Sequence, residues 1–109
     1  MMHDALSSLY GVVSDRKVNP QEGSYTCYLF DKGLDKILKK CGEECSETII
    51  AAKNQNPEEL KNEISDLLYH LIVLMVNEEL PLEAVEEELA ARSKKIGNLK
   101  QFHVSDHNT

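Results

Sequence analysis

Leu34-Asp35-Lys36-Ile37-Leu38-Lys39-Lys40-Cys41-Gly42-Glu43-Glu44-Cys45-Ser46-Glu47-Thr48-Ile49-Ile50-Ala51-Ala52-Lys53, a break at Asn54-Gln55-Asn56, and then Pro57-Glu58-Glu59-Leu60-Lys61-Asn62-Glu63-Ile64-Ser65-Asp66-Leu67-Leu68-Tyr69-His70-Leu71-Ile72-Val73-Leu74-Met75-Val76-Asn77 decide the fold. At 100° per residue, Leu34, Ile37, Leu38, Cys41, Cys45, Thr48, Ile49 and Ala52 fall in one stripe, within about 60° of its centre. In the second segment Leu60, Ile64, Leu67, Leu68, Leu71, Leu74 and Met75 do the same. Asn56 before Pro57, with Glu58 and Glu59 behind it, combines a capping side chain, a proline in the first turn and acids that suit the helix dipole. The spacing therefore predicts two long helices, about 34–53 and 57–78, folded by a short link into an antiparallel hairpin.

The acids carry more information than the apolar residues. Glu44 and Glu47 lie about 80° and about 140° from the centre of the first stripe, on one side. Glu63 and Asp66 take nearly the same offsets on the second helix. A hairpin brings these two pairs together at mid-height. Like charges one turn apart repel by a few tenths of a kcal/mol even when exposed, and partial burial raises the penalty. A hard divalent cation relieves it, because Mg²⁺ prefers oxygen ligands and keeps coordination sites for water and phosphate. The competing reading is four ordinary surface acids on amphipathic helices.

Outward from the hairpin, the rest of the chain is also written in helices. Leu6, Leu9, Tyr10 and Val13 mark a first helix, and Arg16 to Gly23, with Asn19-Pro20, reads as a loop. Ser24 caps a short helix bearing Tyr25, Tyr28 and Leu29 that stops near Gly33. Pro81 begins a last helix through Leu82, Val85 and Leu89, ending at Gly97 after the basic turn Arg92-Ser93-Lys94-Lys95. The expectation is an all-α bundle of about five helices in one domain, 1–97, with a polar tail at 98–109. Ile72 and Val76 fall outside the second stripe, and a helix apolar over that width packs on two sides. That predicts a homodimer whose long helices complete a four-helix core.

Length and composition narrow the class. With 109 residues, 41% hydrophobic and 28% charged, the chain suits one modest core. Nineteen acids against 12 bases leave a net charge of −7, which repels a phosphate backbone, and 6% aromatic content without Trp offers little stacking surface. Nucleic-acid binding is not expected. The run from Leu67 to Val76 contains His70 and is too short to cross a bilayer. Met1-Met2-His3-Asp4 lacks a secretory start, and Cys27, Cys41 and Cys45 form no Cys-x-x-Cys pair, so the expectation is a cytoplasmic protein with reduced thiols.

Lys40-Cys41-Gly42-Glu43-Glu44-Cys45-Ser46-Glu47, followed by Glu63-Ile64-Ser65-Asp66-Leu67-Leu68-Tyr69-His70-Leu71, resembles the paired Glu-Glu-x-x-Glu and Glu-x-x-Asp motifs of the all-α nucleoside triphosphate pyrophosphohydrolases. Ser24-Tyr25-Thr26 shortly before Gly33-Leu34, the Lys-x-Gly-Glu-Glu motif and Asp66-Leu67-Leu68-Tyr69-His70-Leu71 make it most similar to the phosphoribosyl-ATP pyrophosphohydrolase family of histidine biosynthesis. The resemblance runs from about Leu6 to Gly97. Cys41 and Cys45 stand where that family usually has small apolar residues.

The resemblance implies hydrolysis of phosphoribosyl-ATP to phosphoribosyl-AMP and pyrophosphate, with Glu44, Glu47, Glu63 and Asp66 binding Mg²⁺ and forming, with Glu43, the catalytic set. Glu43 faces away from the stripe, where it orients the attacking water or is a plain surface acid. Lys40 shares the acids' flank and either contacts a phosphate or pairs with Glu44. Arg16 and Tyr25 are further substrate-binding candidates, set against a simple cap and a packed ring. His70 is expected to pack or hydrogen-bond beside the acids, since Mg²⁺ prefers oxygen. Two other functions remain open at this level: a house-cleaning pyrophosphatase acting on free nucleotides, and a non-catalytic helical interaction module.

Overall fold

The computed structural model describes residues 4–95, and these form five helices: α1 (Ala5–Val18), α2 (Tyr25–Lys32), α3 (Leu34–Lys53), α4 (Pro57–Asn77) and α5 (Leu82–Lys95). No strand occurs among the described residues. The polar tail and the stop at Gly97 lie outside them.

Each boundary has a local cause. Asp4 caps α1 through Oδ1, which accepts from the Ser7 amide at 2.8 Å. Ser24 Oγ accepts from the Cys27 amide at 3.2 Å and starts α2. Gly33 ends it: the backbone there turns at φ 92° and ψ −173°, a conformation open to glycine and costly for a side chain. Gly33 N–H still donates to Leu29 at 2.9 Å, and Gly33 C=O accepts from Ile37 at 3.2 Å, so one residue closes α2 and opens α3. Asn56 Oδ1 accepts from the Glu59 amide at 3.1 Å ahead of Pro57. The link before it is short because Gln55 takes a left-handed φ of 57°.

The expected loop at 16–23 begins later than its first residues suggest. Arg16, Lys17 and Val18 are still helical, and the chain leaves α1 only at Asn19. Nothing in Arg16-Lys17-Val18 breaks a helix, and two bases in a last turn favour its C-terminal dipole.

α3 and α4 form the hairpin and make the most extensive helix contact in the chain, while α1 packs on α4 and α2 wedges against α1, α3 and α4. The core is Val13, Leu29, Ile37, Ile72, Val73, Val76 and Leu82, with Leu9, Phe30, Tyr69 and Met75 packed around it. Leu82 anchors the start of α5. The turn ahead of it is fixed by Tyr10, whose hydroxyl donates to the Leu80 carbonyl at 2.8 Å.

The buried lines are rotated from the apolar stripes. On α3 the buried residues are Ile37, Glu44 and Ala51, while Leu38, Cys45 and Ile49, expected within the apolar stripe, are exposed. On α4 the buried set is His70, Ile72, Val73 and Val76, while Ile64 and Leu68 are exposed. On α3 the covered line runs through Glu44, beside the apolar stripe, on α4 it lies on the side away from the stripe, and much of each stripe faces outward. Periodicity counts apolar side chains, but α1 and α2 cover only one side of the hairpin.

The core sets a stability expectation. Leu29 is the single buried side chain of α2, so Leu29→Ala should cost about 2–5 kcal/mol in urea denaturation. Val18→Ala, at a site 76% exposed, should change stability by no more than about 0.5 kcal/mol.

Candidate active site

Halfway along the α3–α4 contact, Glu44, Glu63 and Asp66 each present a carboxylate oxygen, all within 4.8 Å of one another. Glu44 sits on the same buried face as Ile37 and Ala51, seven residues away on either side. Glu63 and Asp66 lie three apart on α4 and meet it from the other side. Three of the four acids expected to gather are grouped here, and Glu47 is not among them.

Partners divide this cluster unequally. Lys40 Nζ lies 3.8 Å from Glu44 Oε2 and 3.2 Å from Glu43 Oε1. That leaves Glu44 Oε1 buried without a hydrogen-bond partner, and Glu63 Oε1 is in the same position. Ionised carboxylates only accept, so each of these oxygens needs a proton or a cation to be satisfied. The Glu63 carboxyl is accordingly pushed from its ordinary 4.5 to about 7, first by desolvation and then by its neighbours Glu47 and Glu44. An all-oxygen donor set with two orphaned buried oxygens fits a hard divalent ion.

Glu47 is exposed at the edge of this group, lining with Glu63 and Glu59 a small cleft that also touches Ala51 and Asn54. Glu59 was not singled out from the sequence. It stands four residues before Glu63, one turn away on the same face, but its place in the first turn of α4 already explained it. Glu43 stays at the surface, outside the cluster. Its ion pair with Lys40, chiefly the hydrogen bond between them, holds its carboxyl below the usual range.

His70 is buried behind the acids. Its Nδ1 lies 2.8 Å from the Asp66 carbonyl, which can only accept, so Nδ1 donates that bond. The Tyr25 hydroxyl lies 2.9 Å from Nε2 and shares a second hydrogen bond with the ring. Burial raises the Tyr25 phenol above its ordinary value against the opposing pull of Lys40, which keeps the phenol protonated. Thr26 and Tyr69 make a second α2–α4 hydrogen bond through their hydroxyls. Tyr69 and His70 pack edge to face with centroids 4.9 Å apart. The short helix α2 is thereby tied to α4 one turn beyond Asp66.

The remaining candidates flank these elements. Tyr25 is 44% exposed on its other side and stacks with Tyr28 at 5.9 Å between centroids. Arg16 and Tyr25 line an open groove between the end of α1 and α2. Cys41 is half-buried, and desolvation raises its thiol, which disfavours the thiolate. All three cysteines are free.

The sequence profile of the family described as phosphoribosyl-ATP pyrophosphohydrolase matches residues 6–93. Among curated relatives, a phosphoribosyl-ATP pyrophosphatase of Clostridium botulinum (strain Kyoto / Type A2) is 57% identical over 98 residues, covering 90% of this chain and 89% of the relative. One of Clostridium acetobutylicum is 57% identical over 99 residues, with 91% and 90% covered. Another, of Listeria innocua, is 58% identical over 91 residues, with 84% and 87% covered.

The raised Glu63 group links stability to pH. Its folded-state value of about 7 exceeds the ordinary 4.5, so between those values the folded chain holds a proton the unfolded chain has released. That stabilisation is complete below the unfolded value and is lost as pH rises through about 7. In EDTA, the melting temperature should fall from about pH 6 to about pH 8. Scanning calorimetry should find that fall smaller in Glu63→Gln, whose neutral side chain has no proton to lose.

Proposed function

The chain belongs to the phosphoribosyl-ATP pyrophosphohydrolase family, and from that premise we propose that it hydrolyses phosphoribosyl-ATP to phosphoribosyl-AMP and pyrophosphate at the α3–α4 acid cluster, in histidine biosynthesis. The observation that carries the location is the convergence of Glu44, Glu63 and Asp66 with two buried oxygens left unpartnered. Relatives more than half identical over nearly the whole chain carry the reaction.

Glu44, Glu47, Glu63 and Asp66 are the residues that would hold Mg²⁺. When bound, the ion supplies the charge that brings a triphosphate to a protein of net charge −7 and polarises the phosphoryl group under attack. The protein's own groups do the positioning. Lys40 keeps its proton, chiefly through its hydrogen bond to Glu43, and donates to a phosphate oxygen once the substrate's charge competes with the two glutamates. Glu43, held at the mouth by Lys40, orients the water that adds across the α–β phosphoanhydride. Tyr25, through His70, fixes α2 beside Asp66 and offers an exposed ring to the nucleotide. Arg16 completes the substrate-contacting set.

A homodimer belongs to the same proposal. Leu38 and Ile49 on α3 are 46% and 59% exposed, and Ile64 and Leu68 on α4 are each 41% exposed. These residues recur at helical spacing on the two longest helices, and a second hairpin laid on them gives a four-helix core. No helix among the described residues is long and apolar enough to cross a membrane. A cytoplasmic setting accords with free thiols on a biosynthetic enzyme.

Pyrophosphate release from phosphoribosyl-ATP should require Mg²⁺ and stop with EDTA, while a panel of free triphosphates should be hydrolysed far more slowly. Activity confined to the panel would reject the substrate. Glu47→Gln and Glu63→Gln should each lower kcat by about 100-fold or more, with unchanged helical circular dichroism. Light scattering at micromolar concentration should give twice the chain mass, and Leu38→Glu with Ile49→Glu should return the chain to a monomer.

A further inference from the structure

The groove between the last turn of α1 and α2 has a volume of about 900 Å³, within the range of small-molecule sites. Its walls include Arg16, Lys17, Tyr25, Tyr28 and Phe30, and the one carboxylate among its lining residues is Asp31. The Arg16 guanidinium pairs with its neighbour Asp15 at 3.5 Å, an exposed contact that contributes little. Lys17 Nζ rests 4.9 Å above the Phe30 ring centroid and has no ion pair among the described residues. Lys32 and Lys36 stand 5.9 Å from the Tyr28 ring centroid. In a chain of net charge −7, this concavity is locally cationic.

Position gives the groove its meaning. Tyr25 belongs to both places: its ring lines the groove, and its hydroxyl reaches His70, one turn beyond Asp66. Phosphoribosyl-ATP carries phosphate at both ends, with adenine between two riboses. The triphosphate end needs the acid cluster and its cation. The single phosphate at the other end is repelled by those acids and needs cations of its own.

We propose that this groove receives the phosphorylated ribose that distinguishes the substrate from ATP, with Arg16 and Lys17 holding its 5′-phosphate and the adenine crossing Tyr25. The inference rests on the hydrolysis reading above and assigns the part of the site that selects the substrate. Arg16 offers a planar fork to two phosphate oxygens, and Lys17 a point charge. Cys27 steadies the wall they stand on, its Sγ donating to the Arg16 carbonyl at 3.5 Å and accepting from the Gln21 amide at 3.4 Å.

Arg16→Ala and Lys17→Ala should each raise KM for phosphoribosyl-ATP about tenfold or more, a larger change than any fall in kcat, because the contact is remote from the bond that breaks. Arg16→Lys should recover part of the loss. Independently of turnover, calorimetry in EDTA should show the wild-type chain binding phosphoribosyl-AMP about tenfold or more tightly than AMP, and the double alanine variant binding both alike. An unchanged KM in the double variant, or equal wild-type affinity for the two monophosphates, overturns the assignment. Failure of the hydrolysis reading looks different: no pyrophosphate from phosphoribosyl-ATP in the wild type, with the monophosphate comparison still reporting on the groove.

Discussion

A carboxylate stands where the helix packing calls for an apolar side chain. Ile37, Glu44 and Ala51 share the buried line on α3, and Glu44 is the middle one. Burying an ionised carboxylate is strongly unfavourable unless hydrogen bonds or counter-charges compensate it. Lys40 answers one Glu44 oxygen, while the other is buried without a partner, as is one oxygen of the neighbouring Glu63. Desolvation and the neighbouring Glu47 and Glu44 raise the Glu63 carboxyl, which favours a retained proton where no cation balances the cluster. Most other features around the hairpin follow from holding these groups close.

The cost of that choice is visible in the rest of the packing. Because the acids occupy part of the seam between α3 and α4, the seam cannot also take the whole apolar stripe of each helix. Leu38, Ile49, Ile64 and Leu68 are left outward, and the chain's own core draws instead on Ile72, Val73 and Val76 from the other side of α4. A helix that carries a polar site on its inner flank and apolar residues on its outer one needs a second layer. The homodimer proposed above would provide it without any new sequence.

Helix positions were legible because they are set locally. Ser24, Gly33 and Asn56-Pro57 mark ends through their own side chains and dihedral preferences, and α3 spans the residues that spacing indicated. The end of α1 was misplaced because Arg16 and Lys17 suit a helical last turn as readily as a loop. Rotation about each helix axis was less legible. The apolar stripes of α3 and α4 are real, but the residues that decide which flank is covered sit on α1 and α2. The acid clustering could be read because both pairs recur on consecutive helices joined by a short link. The Tyr25–His70 and Thr26–Tyr69 contacts join residues 45 and 43 positions apart, and no local pattern announces them. Glu59 was hidden by having a sufficient local explanation.

A substrate with phosphate at each end sets an acidic protein two opposite electrostatic problems. At the hairpin, negative side chains gather where the proposed divalent ion would be held, and a grip on the triphosphate end would then be conditional on that ion. At the groove the charge is the protein's own, on Arg16 and Lys17, and is present whether or not metal is bound. Discrimination is better placed on the second kind of contact. Any nucleoside triphosphate presents the cation with the same oxygens, so the acid cluster cannot tell phosphoribosyl-ATP from ATP. A cationic recess one aromatic ring away from the reacting end can, because only the larger molecule carries a phosphate long enough in reach to enter it.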